Sequence, residues 1–86
     1  MVVTDVRVKV LENDEKLKAV ASITFDGVFV VHDIKIINGT AGLFVAMPSR
    51  KGRDGTFKDV AHPIVTEFRE MIAKSVLEAY EKALTE

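Results

Sequence analysis

The sequence predicts an α+β fold: a twisted antiparallel β-sheet of four to five strands, with one long C-terminal α-helix packed on one face. Apolar and polar residues alternate at period two through the N-terminal third. Turn signals then separate short strand-like runs up to Ala61. After Pro63 the apolar residues recur at helical spacing. The chain of 86 residues makes one domain, 1–86, near the small end of what folds without staples.

Each element has its own signal. Val6, Val8 and Val10 alternate with Asp5, Arg7 and Lys9, the pattern of a half-buried strand. Glu12-Asn13-Asp14-Glu15 is polar and turn-rich. Leu17, Ala19, Ala21, Ile23 and Phe25 form a second alternating set, so the two strands read as a hairpin. Asp26-Gly27 is the preferred pair of a type I′ turn. The third strand, Val28 to Ile37, is apolar on both parities: Val28, Val30, Ile34 and Ile36 on one, Phe29, Val31 and Ile37 on the other. A strand of that kind is covered twice, so either the sheet curls strongly or a second subunit buries the remaining face or edge; a homodimer is the expectation. Asn38-Gly39 supplies the next turn, and Leu43 to Met47 the fourth strand, which Pro48 should end. Thr56 to Ala61 reads as a short fifth strand.

The helix follows Pro63, a residue pre-organised for a first helical turn. Ile64 or Val65, Phe68, Met71 or Ile72, Val76, Ala79, Tyr80 and Ala83 mark its apolar face. About 20 residues of helix span roughly 30 Å. Glu70–Lys74 and Glu78–Lys82 sit at i,i+4 with the acid first, the favourable order.

Composition excludes several classes. The chain has no Cys, so a disulfide framework and a thiolate metal site are both out, and a reducing compartment fits. No apolar run approaches the roughly 20 residues of a membrane span. MVVTDVRVKV lacks the layout of a signal peptide. A cytoplasmic protein without membrane contact is the expectation. A hydrophobic share of 48% argues against disorder.

Charge is unevenly spread. Between Pro48 and Lys58 there are four basic residues and one acid, a local charge of +3. The rest of the chain carries eight basic and twelve acidic residues, or −4. Arg50, Lys51 and Arg53 fall in a glycine-bearing loop, Ser49–Gly55, with Lys58 just after. One reading is phosphate contact, since Arg can fork onto a phosphate or a guanine edge. The other is a solvated hairpin tip. With a net charge of −1, nucleic-acid binding has to rest on such a local patch and be salt-sensitive.

The segment LFVAMPSRKGRDGTFKDVAHPI resembles the SpoVG family of small bacterial regulators. VTDVRVKV and ASITFDGVFVVHDIKIINGTAGLFVAMPS match the same family, so the resemblance runs from residue 2 to about 80. It implies nucleic-acid binding, regulation of gene expression and, in spore formers, an effect on septation and sporulation. It implies no enzymatic activity, no cofactor and no small-molecule substrate. The candidate nucleic-acid contacts are Arg50, Lys51, Arg53 and Lys58, with Thr66 and Arg69 on the first helix turns. The resemblance implies DNA as a ligand and leaves RNA open beside it. The rival class is a protein–protein adaptor of cell division or sporulation.

Other chemistry finds little support. His32-Asp33 and Asp59 with His62 are the only acid–base or metal candidates, and no HxH or HExxH spacing is present. His32 falls on a strand parity with Val30 and Ile34, the place of a partly buried histidine. Among the aromatics, only Phe57 lies beside the basic loop, where it could stack on a base.

Overall fold

The computed structural model describes residues 1–11 and 15–85. Four strands form an antiparallel meander in the order β1 (Val3–Val10), β2 (Leu17–Phe25), β3 (Phe29–Gly39) and β4 (Gly42–Ala46). A separate two-stranded ribbon follows, β5 (Ser49–Lys51) and β6 (Phe57–Asp59). One helix, α1 (Thr66–Thr85), follows the ribbon. The expected α+β architecture is therefore present. The expected fifth strand is shorter than Thr56–Ala61 and pairs with part of the basic loop instead of joining the main sheet. Most of the polar Glu12–Glu15 turn lies outside the described residues.

The strand alternation decides which side becomes core. Ala19, Ala21, Ile23 and Phe25 of β2 are all buried. The register sets Val10, Val8 and Val6 of β1 opposite Ala19, Ala21 and Ile23 on the same face. Ile72, Val76 and Tyr80 of α1 recur every four residues and close that face from above. The ring centroids of Phe25 and Phe68 lie 5.5 Å apart. Burying each large aliphatic side chain here contributes about 1.5–3 kcal/mol. No polar or charged residue is buried with them among the described residues.

Two turns show how local chemistry fixes the meander. Asp26 and Gly27 have φ of 52° and 66°, as a type I′ turn requires. The Val28 N–H donates to the Phe25 carbonyl at 3.0 Å and closes the turn. The Val2 N–H donates to the Asp26 carboxylate, and the Gly27 N–H to the Thr4 hydroxyl, so the N-terminus holds this turn in place. The next turn differs from expectation. Asn38 and Gly39 remain in β3, and Thr40-Ala41 makes the connection. Asn38 is held by an N–H bond to the Lys16 carbonyl.

The third strand corrects the reading of two apolar faces. Ala21 pairs with Ile34 but Ile23 pairs with Val31, so His32 and Asp33 together oppose the single residue Ser22. This is a β-bulge, and Asp33 takes the left-handed conformation at φ 62°. The bulge reverses parity along the strand. Phe29 and Val31 join Ile34 and Ile36 on the core side, while Val30 falls on the opposite side with Lys35 and Ile37. β3 thus presents one apolar face and not two. The argument for a dimer from a doubly covered strand falls with it.

The helix begins later than Pro63 suggested. The Phe68 and Arg69 N–H groups both donate to the Val65 carbonyl at 3.1 Å, which sets Thr66 as the first helical residue. Ile64, at 91% exposure, stands clear of the core. Among the described residues the Glu70–Lys74 and Glu78–Lys82 ion pairs do not form. No helix among the described residues is long and apolar enough to cross a membrane.

Candidate nucleic-acid interface

The basic segment folds into a ribbon whose tip is set by turn chemistry. The Gly52 N–H donates to the Thr56 carbonyl at 2.8 Å, and the Gly55 N–H to the Gly52 carbonyl at 3.1 Å. Gly55 has φ of 85°. A β-turn followed by a left-handed glycine is the common three-residue hairpin loop. Arg53 sits at the apex of this turn. Asp54 folds back onto the loop: its Oδ1 accepts from the Thr56 hydroxyl at 2.8 Å and the Thr56 N–H at 3.1 Å. The hydrogen bond from the Thr56 hydroxyl, then that from its N–H, holds the Asp54 carboxyl below the usual aspartate range. The only acid in the loop is therefore engaged in shaping the tip.

Register divides the cations between two faces. Arg50 pairs with Lys58, and Lys51 pairs with Phe57. Directly opposed side chains share a face, so one side of the ribbon carries two cations and the other a cation beside an exposed ring. Phe57 is 68% exposed. Arg50, Lys51, Arg53 and Lys58 are all exposed, and none has an ion pair among the described residues. Like charges set opposite each other destabilise a ladder. No folding requirement in this ribbon demands the pair.

The ribbon is anchored at its base. The Val60 N–H donates to the Pro48 carbonyl at 2.7 Å, and Pro48 and the preceding Met47 are buried. Residues 60–65 then lead from β6 to α1. Thr66 and Arg69 are exposed at the start of that helix. The structure brings Arg50 and Lys58 together and places Lys51 and Arg53 nearby. Among the described residues, no hydrogen bond or ion pair ties the Thr66 or Arg69 side chain to the ribbon. The helix itself packs chiefly on β1.

The histidines occupy other ground. His32 is exposed, contrary to a partly buried reading, because the bulge turns it away from Ile34. It shares a hydrogen bond with Ser22 Oγ at 2.9 Å. His62 Nδ1 donates to the Pro63 carbonyl at 3.1 Å on the link to the helix. Among the described residues no three His, Asp or Glu side chains converge as metal ligands would.

One group of cations is not evident from sequence alone. Arg7, Lys9 and Lys35 stand on the sheet face that the helix leaves open. Alternation already puts Arg7 and Lys9 on one parity, but Lys35 joins them only through the bulge.

Comparison with known proteins places this sequence in a family. The SpoVG family model matches residues 1–82. A relative from Clostridium beijerinckii, called "Putative septation protein SpoVG", is 59% identical over 86 residues, covering 100% of this chain and 94% of its own. A protein of the same name from Caldicellulosiruptor saccharolyticus is 56% identical over 85 residues, covering 99% and 97%. Another from Clostridium perfringens is 58% identical over 82 residues, covering 95% and 91%. On a match that spans nearly every element described above, the chain belongs to the SpoVG family.

Proposed function

We propose that this protein is a nucleic-acid-binding regulator of gene expression that serves septation and sporulation, and that the β5–β6 ribbon is its contact element. The septation link follows the names of its relatives. The observation that supports binding is the opposed pair Arg50 and Lys58, without counter-ions among the described residues, on a ribbon pre-shaped by Asp54 and Gly55. Arg53 at the tip and Lys51 on the second face extend the same charge, and Phe57 offers a ring beside it. Thr66 and Arg69 add contacts where the chain enters the helix. The ligand is DNA or RNA, and the site of action is the cytoplasm. No catalytic step belongs to this reading, nor a cofactor.

The test is a salt titration of binding by fluorescence anisotropy. Changing Arg50, Lys51 and Arg53 together to Ala should weaken binding across sequences. It should also flatten the dependence of log K on log salt, by about one unit for each phosphate that the variant no longer neutralises. Circular dichroism should show an unchanged fold, since the tip buries nothing. Unchanged affinity and slope would remove the ribbon from the interface.

A homodimer goes with this proposal, on evidence other than a doubly covered third strand. A cleft of about 280 Å³ opens between the sheet and the start of α1, lined by Phe25, Phe29, Val31, Met47 and Phe68. Its rim leaves Met1, Phe29 and Ile64 exposed at 70%, 59% and 91%. A second copy covering that rim would double the ribbons presented to one ligand. Sedimentation at micromolar concentration should give twice the 9.5 kDa of one chain; a monomer ends the dimer proposal. The same apolar rim is the observation that favours the adaptor reading. Salt-insensitive capture of a protein partner, with no nucleic-acid binding, would decide for it.

A further inference from the structure

The helix covers one face of the four-stranded sheet, and the register fixes what stands on the other. Lys9, Val20, Lys35 and Ala46 form one row across β1 to β4. The neighbouring row is Arg7, Ser22 and the bulge residue His32. Lys9 and Lys35 are two strands apart, about 10 Å at ordinary strand spacing. Together these rows enclose a depression lined by Arg7, Lys9, Val20, Ser22, His32 and Asp33.

The charge of this face is not the charge of the molecule. Arg7, Lys9 and Lys35 stand there against Asp5 and Asp33. Arg7 is paired with Asp5 at 3.1 Å, and Lys9 and Lys35 have no ion pair among the described residues. Across the sheet, α1 carries Glu67, Glu70, Glu78 and Glu81 against Arg69, Lys74 and Lys82, a net −1. The open face, with three cations against two acids, is net +1.

A ring completes the pattern. Phe44 stands opposite Ile37, diagonal to Lys35, and is 47% exposed. A Cβ at Gly39 would lie 2.9 Å from its Cε1. The glycine thus leaves the space this ring occupies, and a side chain there would displace it. An open sheet face with cations, hydrogen-bonding groups and an exposed ring suits unpaired bases. A duplex keeps its base faces stacked inside and gives the Phe44 ring nothing to stack on, so it gains little from this face.

We propose that the open face of the four-stranded sheet is a second nucleic-acid surface, selective for single strands. Arg7, Lys9 and Lys35 take backbone phosphates, Phe44 stacks one base, and Ser22 and His32 hydrogen-bond an exposed base edge. This rests on the reading of the protein as a nucleic-acid binder. It adds a second element to the ribbon and assigns each a different form of the ligand.

The experiment uses the full chain, a labelled single-stranded oligonucleotide and its duplex, at one salt concentration. Lys9→Glu with Lys35→Glu should lower single-strand affinity at least about tenfold and duplex affinity by about twofold or less. Phe44→Ala should lower single-strand affinity about tenfold and leave the salt slope unchanged. Lys9→Gln with Lys35→Gln, which only removes charge, should show the same preference with a smaller loss and guards against misfolding of the reversal. If these variants bind single strands as the parent does while the ribbon variant loses binding, the open face is not a binding surface and the proposed function stands. If the charge reversal alters the sedimenting mass and not single-strand binding, a second copy occupies the face and the inference fails. If the parent binds neither form, both proposals fail together.

Discussion

Between the sheet and the helix, ten apolar residues from Ala19 to Tyr80 are buried, while in the ribbon every residue from Arg50 to Val60 is exposed. The first region is held by apolar contact that no single residue dominates. The second is held by a few hydrogen bonds around Gly52, Asp54, Gly55 and Thr56, and by its base at Pro48. A region that buries nothing is free to carry charge that a core could never tolerate. The opposed Arg50 and Lys58 use that freedom.

The contrast is tested hardest at Phe25. Its ring is 3% exposed and packs against Phe68, so Phe25→Ala should cost about 3–5 kcal/mol. That is a large part of what an 86-residue domain has. Chemical denaturation should show a much lower midpoint. Phe68→Ala should cost less, because Phe68 is only partly buried. If Phe25→Ala melts near the parent, the core has been assigned to the wrong residues.

Much of this fold is legible in the sequence because its signals are local. The valines of β1, the alternation of β2 and the Asp26-Gly27 turn each read correctly within a few residues. The bulge at His32-Asp33 does not, because both parities of β3 are apolar and hide a one-residue slip. Only pairing with β2 reveals it. Asn38-Gly39 misleads for a different reason. Gly39 serves the Phe44 ring instead of a turn, a contact between strands that sequence order does not display. Pro63 suggests a helix start three residues early, since the first helical bonds are accepted at Val65. In the candidate site, the cluster of Arg50, Lys51, Arg53 and Lys58 is visible as composition. Its division into two faces is not, because that depends on the register of β5 and β6.

Gly55 sharpens the contrast from the ribbon's side. Nothing lies within 4 Å of where its Cβ would be, but its φ of 85° strains any other residue. Gly55→Ala should cost about 1 kcal/mol within the ribbon. Hydrogen exchange at the Gly52 and Thr56 amides should quicken while the global midpoint hardly moves. A fall in midpoint like that of Phe25→Ala would mean that ribbon and core unfold as one unit. A smaller effect has the opposite sign. Lys58→Glu places an acid opposite Arg50, and should raise ribbon stability by about 0.2–1 kcal/mol. The same change should weaken nucleic-acid binding. A variant that stabilises the ribbon and improves binding would contradict the role given to the opposed cations.

The smallest effect belongs to Asp54. Its carboxylate is stabilised by the Thr56 hydroxyl first and the Thr56 N–H second, so its folded value is lowered. A lowered carboxyl contributes stability that is present above the ordinary aspartate range, about pH 4, and is lost as pH falls through the lowered value. The group is fully exposed, so loss of order should stay within the tip and leave the core intact at that pH. Nuclear magnetic resonance can follow the Asp54 carboxyl and the Thr56 amide in one titration. Both should move together, with a midpoint below that of an ordinary aspartate. Thr56→Val removes the hydroxyl and keeps the N–H, so the midpoint should rise part of the way back. If it stays where it was, the hydroxyl is not the main cause of the shift, and the tip owes its shape to Gly55 and the backbone bonds alone.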